Sequence, residues 1–195
     1  MKNDKSGFWK AICKDPDDDV PRLVFADYLD EQGHPERAEL IRAQCDLEAL
    51  PISDPRRIDL EMTSRWLLQE YQHQWNEELP KWGGVKSITF RRGFPYAIGV
   101  TPATFARRSG VITRKTAIQH LSFDHQVKPD DVGDIEESGF LSRARSFRFT
   151  SAPYAFCRCM LREISLLKEL EIVRAGDHDT NVVGAFLDTL QEADL

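Results

Sequence analysis

Asp15–Leu50, DPDDDVPRLVFADYLDEQGHPERAELIRAQCDLEAL, reads as two helices and the link between them. Asp17, Asp18 and Asp19 place carboxylates where the first free N–H groups of a helix need acceptors and where its dipole favours negative charge. Pro21 follows in the first turn, where its missing N–H costs nothing. Leu23, Val24, Ala26 and Leu29 supply a packing side until Gly33, a residue free to adopt the left-handed turn that ends a helix. Pro35 restarts the chain as a second helix with a stripe of Ala38, Ile41 and Cys45, flanked by Leu40 and Leu47, and Pro51 closes it. So short a link requires the two helices to lie antiparallel.

Working outward, Ser53-Asp54-Pro55 caps a third helix in which Ile58, Met62, Trp66, Leu67, Tyr71 and Trp75 recur at three- and four-residue steps. That aromatic stripe could stack bases, but the period predicts a core face packed on the hairpin. From Gly83-Gly84 the rhythm turns to alternation. Ile88 and Phe90 mark one strand, Arg91-Arg92-Gly93 a turn, and Phe94, Tyr96, Ile98 and Val100 the next. An apolar-x-apolar motif then returns at Leu121/Phe123, Phe147/Phe149 and Leu170/Ile172, at intervals of 23, 26 and 23 residues counted from Ile98. Such intervals fit units of one short strand and a helical return. The returns start at Thr101-Pro102 with Phe105, run past Ile135, and pass Cys159, Met160 and Ile164; Asn181–Gln191 reads as a final amphipathic helix.

Two resemblances accompany these patterns. The run from Phe8 to Leu50, with KDPDDD (14–19), PRLVFADYLDEQG (21–33) and PERAELIRAQ (35–44), resembles the bacterial repeat-companion domain. That resemblance implies tandem repeats nearby, often leucine-rich-like, and no catalytic residue carries over from it. Residues 94–190 resemble degenerate leucine-rich-like repeats, departing from the pattern in having few leucines and no Asn after the strand. The expected fold is therefore α/β: a helical hairpin plus long helix at 1–80, then a short leucine-rich-repeat-like β/α solenoid at 81–195 with a C-terminal capping helix.

In apolar-x-apolar strands the intervening positions face away from the core, which nominates Gly99, Thr101, His120, Ser122, Asp124, Ser146, Arg148, Thr150, Glu169 and Glu171 as an exposed polar face. Charge adds a second clue. The formal net charge is −6, yet 79–123 contains no Asp or Glu and carries Arg91, Arg92, Arg107, Arg108, Arg114 and Lys115 as doublets, with Lys81 and Lys86. Residues 1–78 carry −8, this segment +8, and 124–195 carry −6. The doublets can pair internally with the acidic hairpin, or meet an anionic partner such as a nucleic acid.

No constellation names a reaction. The aspartates at 15–19 lack EF-hand spacing and a distal Glu. Cys157-x-Cys159 is one pair without a second, and Asp177-His178-Asp179 reads as loop and cap chemistry. No cofactor or metal is expected. Cys13 and Cys45 read as reduced thiols among apolar neighbours. With no bilayer-length apolar run and no signal pattern in MKNDKSGFWK, a cytoplasmic protein is expected. The predicted role is a non-enzymatic protein–protein interaction or adaptor subunit. Its binding residues are Arg91, Arg92, Arg107, Arg108, Arg114, Lys115, His120, Ser122, Arg148 and Glu171. The rivals are a nucleic-acid accessory subunit using 79–123 and an enzyme built on an Asp/His site.

Overall fold

The computed structural model describes residues 5–77, 84–149, 156 and 169–172, without the side chains at 113–115, 143 and 169–172. The fold is α/β, and the chain divides into two compact units: 1–81 with 90–95, and 82–89 with 96–195.

The first unit contains α1 (Lys5–Lys14), α2 (Val20–Glu31), α3 (Pro35–Ala49) and α4 (Arg56–Glu77). Its α2–α3 link follows from Gly33, at φ +78. There the Gly33 N–H donates to Asp30 O at 3.0 Å and the His34 N–H to Leu29 O at 2.9 Å, the paired bonds of a Schellman stop. Pro35 then opens α3. The capping expectation is corrected at Asp19. The Val20 N–H is met by Asp18 Oδ1 at 2.9 Å and the Asp17 N–H by Asp15 Oδ1 at 3.2 Å, while Asp19 makes no side-chain cap.

The packing face of α2 also differs from expectation. Leu23 and Val24 are exposed, and Arg22, Phe25, Ala26 and Leu29 are buried. Those four positions are one helical face at three- and four-residue steps, disguised by an arginine. On α4, Leu67, Ser64 and Trp75 are buried, whereas Ile58, Met62 and Trp66 are 65%, 66% and 53% exposed. The expected single stripe is thus two faces of one helix.

The second unit carries the sheet. The strands are β1 (Val85–Arg91), β2 (Phe94–Val100), β3 (His120–Phe123), β4 (Ser146–Phe149) and β5 (Glu169–Ile172), in that spatial order, with the β1–β2 tip at 90–95 belonging to the first unit. β1 and β2 form a hairpin. From β2 onward the pairing is parallel, through α5 (Pro102–Lys115) and then α6 (Pro129–Glu137) with the 3-10 turn Leu141–Arg143. Ile98 is in register with Leu121, Leu121 with Phe147, and Phe147 with Leu170, the apolar positions marked by the 23-, 26- and 23-residue intervals.

α5 starts where Thr101 Oγ1 accepts from the Thr104 N–H at 3.2 Å with Pro102 next. In α6, Asp131 Oδ2 reaches back to the Lys128 N–H at 3.2 Å. Between these helices and the sheet lies a core rich in phenylalanine, with Phe105, Phe123, Phe140, Phe147, Phe149 and Phe156 all at most 2% exposed. Their rings meet mostly edge-on, Phe105 against Phe140 at 5.1 Å and Phe149 against Phe156 at 5.7 Å. The expected helix Asn181–Gln191 and the return through Cys159, Met160 and Ile164 lie outside the described residues.

Candidate functional site

The basic doublets come first, because the sequence leaves them two fates. Arg91 and Arg92 flank the β1–β2 turn, where Arg92 at φ 51 and Gly93 at φ 76 supply the two left-handed residues of a type I′ hairpin. Residues 90–95 belong to the helical unit, and there the tip is held by side chains. The Gly93 N–H donates to Gln44 Oε1 at 2.7 Å, and Gln44 Nε2 donates to Ser64 Oγ at 2.9 Å, so one buried glutamine joins α3, α4 and the turn. A Cβ on Gly93 would collide with Ile41 Cγ1 and stand 2.8 Å from the Ile41 Cα.

Arg91 makes a two-pronged contact with Glu48, which holds that carboxyl below its ordinary range. Arg92 donates to Asp17 O at 2.9 Å and faces the Asp19 carboxylate at 3.4 Å. This doublet is therefore engaged inside its own unit.

The interior beside the turn is polar in a way the sequence reading missed. Arg37, 5% exposed, lies with its guanidinium 4.5 Å from the Trp75 ring centre, 5.0 Å from Phe90 and 5.6 Å from Phe94. Arg22 lies over Phe94 at 5.5 Å and donates to Asp18 O at 2.7 Å; burial lowers its pKa. Cys45 is buried, and a carboxylate lies beside it. Its Sγ is 3.5 Å from Asp19 Oδ1, and burial, then Asp19, push the thiol up to about 12. A thiol held there is protonated and unreactive at neutral pH.

An open groove of about 400 Å³ lies in this unit, lined by apolar Leu47, Leu50, Ile52 and Phe90 together with polar Gln44, Glu48, Arg57 and Arg91. Its polar groups are already committed. Arg57 donates to the α3 terminal carbonyls of Leu47 at 2.6 Å and Leu50 at 3.0 Å. Among the described residues no group of three or more His, Cys, Asp or Glu side chains is placed to hold a metal ion. Asp177, His178, Asp179, Cys157 and Cys159 lie outside the described residues.

In the sheet unit the second doublet has the opposite fate. Arg107 and Arg108 are exposed on α5, with no hydrogen bond or ion pair among the described residues. Arg114 and Lys115 fall in the last turn of α5, their side chains outside the described set.

The sheet face opposite the phenylalanine core carries two rows. Register aligns Ala97 with His120, Ser146 and Glu169, and Gly99 with Ser122, Arg148 and Glu171. His120, Ser122 and Ser146 are half-buried and Arg148 is exposed, while their neighbours Leu121, Phe147 and Phe149 are fully buried. The His120 ring rests on Tyr96, centroids 3.9 Å apart. Gly99 departs from the expected exposure: it is buried, and a Cβ there would be 2.5 Å from Ser87 Oγ. Thr101 is occupied as the α5 cap. Thr150 and the side chains of Glu169 and Glu171 lie outside the described set.

The exposed ridge Ile58, Met62 and Trp66 also escaped the sequence reading. A signal was present. Leu60, Ser64, Leu67, Tyr71 and Trp75 already span one side of α4, too far around the helix for Ile58 and Met62 to share it. Comparison with protein-family models, curated proteins and solved structures finds no match to this chain.

Proposed function

We propose that this protein is a non-enzymatic binding subunit that holds another protein against the polar face of its parallel sheet. The observation that carries the reading is the contrast across β3 and β4. One face is sealed by phenylalanine, and the other presents exposed Arg148 among half-buried Ser122, Ser146 and His120. Parallel sheets are ordinarily covered on both faces, so a polar, accessible face in the middle of one is a surface available for recognition.

The same reading treats 94–190 as a short leucine-rich-like stack. It is supported by the sequential strand order and by the registered positions Ile98, Leu121, Phe147 and Leu170. Stacks of this kind bind through an extended sheet face. The resemblance of Phe8–Leu50 to the bacterial repeat-companion domain agrees with that neighbourhood and makes a bacterial cytoplasmic complex the proposed setting. Among the described residues no helix is long and apolar enough to cross a membrane.

A second reading, a nucleic-acid accessory subunit, is favoured by one observation: exposed Arg107 and Arg108 have no partner among the described residues. Capture of tagged protein from its native lysate, with and without nuclease, separates the two. The first reading expects a stoichiometric protein partner that survives nuclease, is lost with Arg148→Glu/Ser122→Glu, and is kept with Arg107→Glu/Arg108→Glu. Loss on nuclease treatment, or only with the α5 variant, overturns it in favour of the second.

A further inference from the structure

We propose that α4 is also the contact through which two copies of this chain associate, as an antiparallel helix pair. Ile58, Met62 and Trp66 follow one another at four-residue steps, which makes them a continuous ridge on the helix surface. The ridge stands apart from the buried residues Ser64, Leu67 and Trp75, so it contributes little to its own unit's core. Trp66 is buttressed edge-on by Tyr71 at 6.1 Å, and tryptophan in a defined pose is a residue type that dominates interfaces.

The occupant follows from the charges beside the ridge. Arg57, Glu61 and Arg65 form a second row, each one residue before a ridge residue and so on the same side of it. When a helix pairs antiparallel with its own copy about a two-fold axis, each side of the ridge meets the same side of its copy in reverse order. With the axis near residue 63, Glu61 stands opposite the second copy's Arg65, and the pair occurs twice. In that position Met62 lies beside its symmetry mate and Trp66 enters the gap between Ile58 and Met62 of the other copy. The axis that pairs Glu61 with Arg65 thus also brings the apolar ridges together.

Glu61 is available for this contact. Its 3.4 Å pair with Arg57 is solvent-exposed on the Glu61 side, and the Arg57 guanidinium is already committed to the carbonyls of Leu47 and Leu50. Arg65 is exposed with no partner among the described residues. Asp59 and Glu70 lie on the other side of the ridge, where a tilted crossing leaves them in water.

Sedimentation equilibrium of the full chain over a range of concentrations tests the pairing. The expected result is reversible conversion from 22.4 kDa to twice that mass as concentration rises, abolished by Trp66→Glu. Glu61→Arg alone and Arg65→Glu alone each weaken association about tenfold, and Glu61→Arg with Arg65→Glu restores it, because the swapped row is again self-complementary. Unchanged helicity by circular dichroism confirms that each variant is folded. A mass of 22.4 kDa at every concentration overturns the proposal. So does a dimer indifferent to Trp66→Glu, or a double swap as weak as the single reversals.

Discussion

The helical unit places Arg22, Arg37 and Gln44 in its interior, each at most 8% exposed, whereas the sheet unit is centred on six buried phenylalanines. In the first, position is specified by directional contacts: Gln44 has a defined partner on each side, and Arg37 a defined set of rings. In the second, shape and volume do the specifying. The surfaces are divided in the complementary sense. The helical unit leaves an apolar ridge on α4 in water, and the sheet unit leaves polar side chains on one face of its strands. The sheet unit buries polar side chains too, Thr104, Ser109, Thr116 and Gln119, but no charged one, whereas the helical unit buries Arg22 and Arg37.

The contrast predicts different sensitivities. The largest effect belongs to the phenylalanine core: Phe147→Ala removes a ring packed against Phe140 and Phe156 and should cost about 3–5 kcal/mol in denaturant unfolding. Gly93→Ala comes next, at about 3 kcal/mol, because it combines a left-handed backbone with a collision against Ile41. Gly33→Ala is the control. It has the same backbone region but nothing within 4 Å of the added Cβ, so its cost should stay near about 1 kcal/mol. Equal losses at the two glycines would mean that the seat of Gly93 on α3 is not tight.

Gln44→Leu should cost about 2 kcal/mol by leaving the Gly93 N–H and Ser64 without a partner, although its volume is nearly conserved. A neutral result would show that the helical unit depends on shape like its neighbour.

The smallest effect is expected at Glu48→Gln, no more than about 1 kcal/mol, because the pair with Arg91 is partly solvated. Its pH dependence has a definite sign. The folded pKa of Glu48 is depressed by Arg91, so its contribution is complete above the unfolded value of about 4.3 and is lost as pH falls through the lower folded value. The stability gap between wild type and Glu48→Gln should therefore close on acidification below that value. A gap that widens would contradict the pairing.

The sequence was most informative where structure is local. Gly33 and Pro35 act through their own backbone, and the strand positions Ile98, Leu121, Phe147 and Leu170 announce themselves by alternation and interval. It was least informative where a side chain's fate depends on a distant segment. Arg22 goes inside because a ring from residue 94 lies beneath its guanidinium, and that contact displaced Leu23 and Val24 from the expected face. Arg91-Arg92 and Arg107-Arg108 are indistinguishable as doublets. Only the placement of Glu48, Asp17 and Asp19 around the hairpin tip separates an internal clasp from an exposed pair.

The central claim, that the polar sheet face holds a protein partner, is tested most directly by site-specific photo-crosslinking in native cells. A benzoylphenylalanine placed at Arg148 is compared with one at Arg107 on α5. The account predicts a single discrete protein adduct from position 148 and none of comparable yield from position 107. A blank at 148, or a nuclease-sensitive adduct arising only from 107, would contradict it.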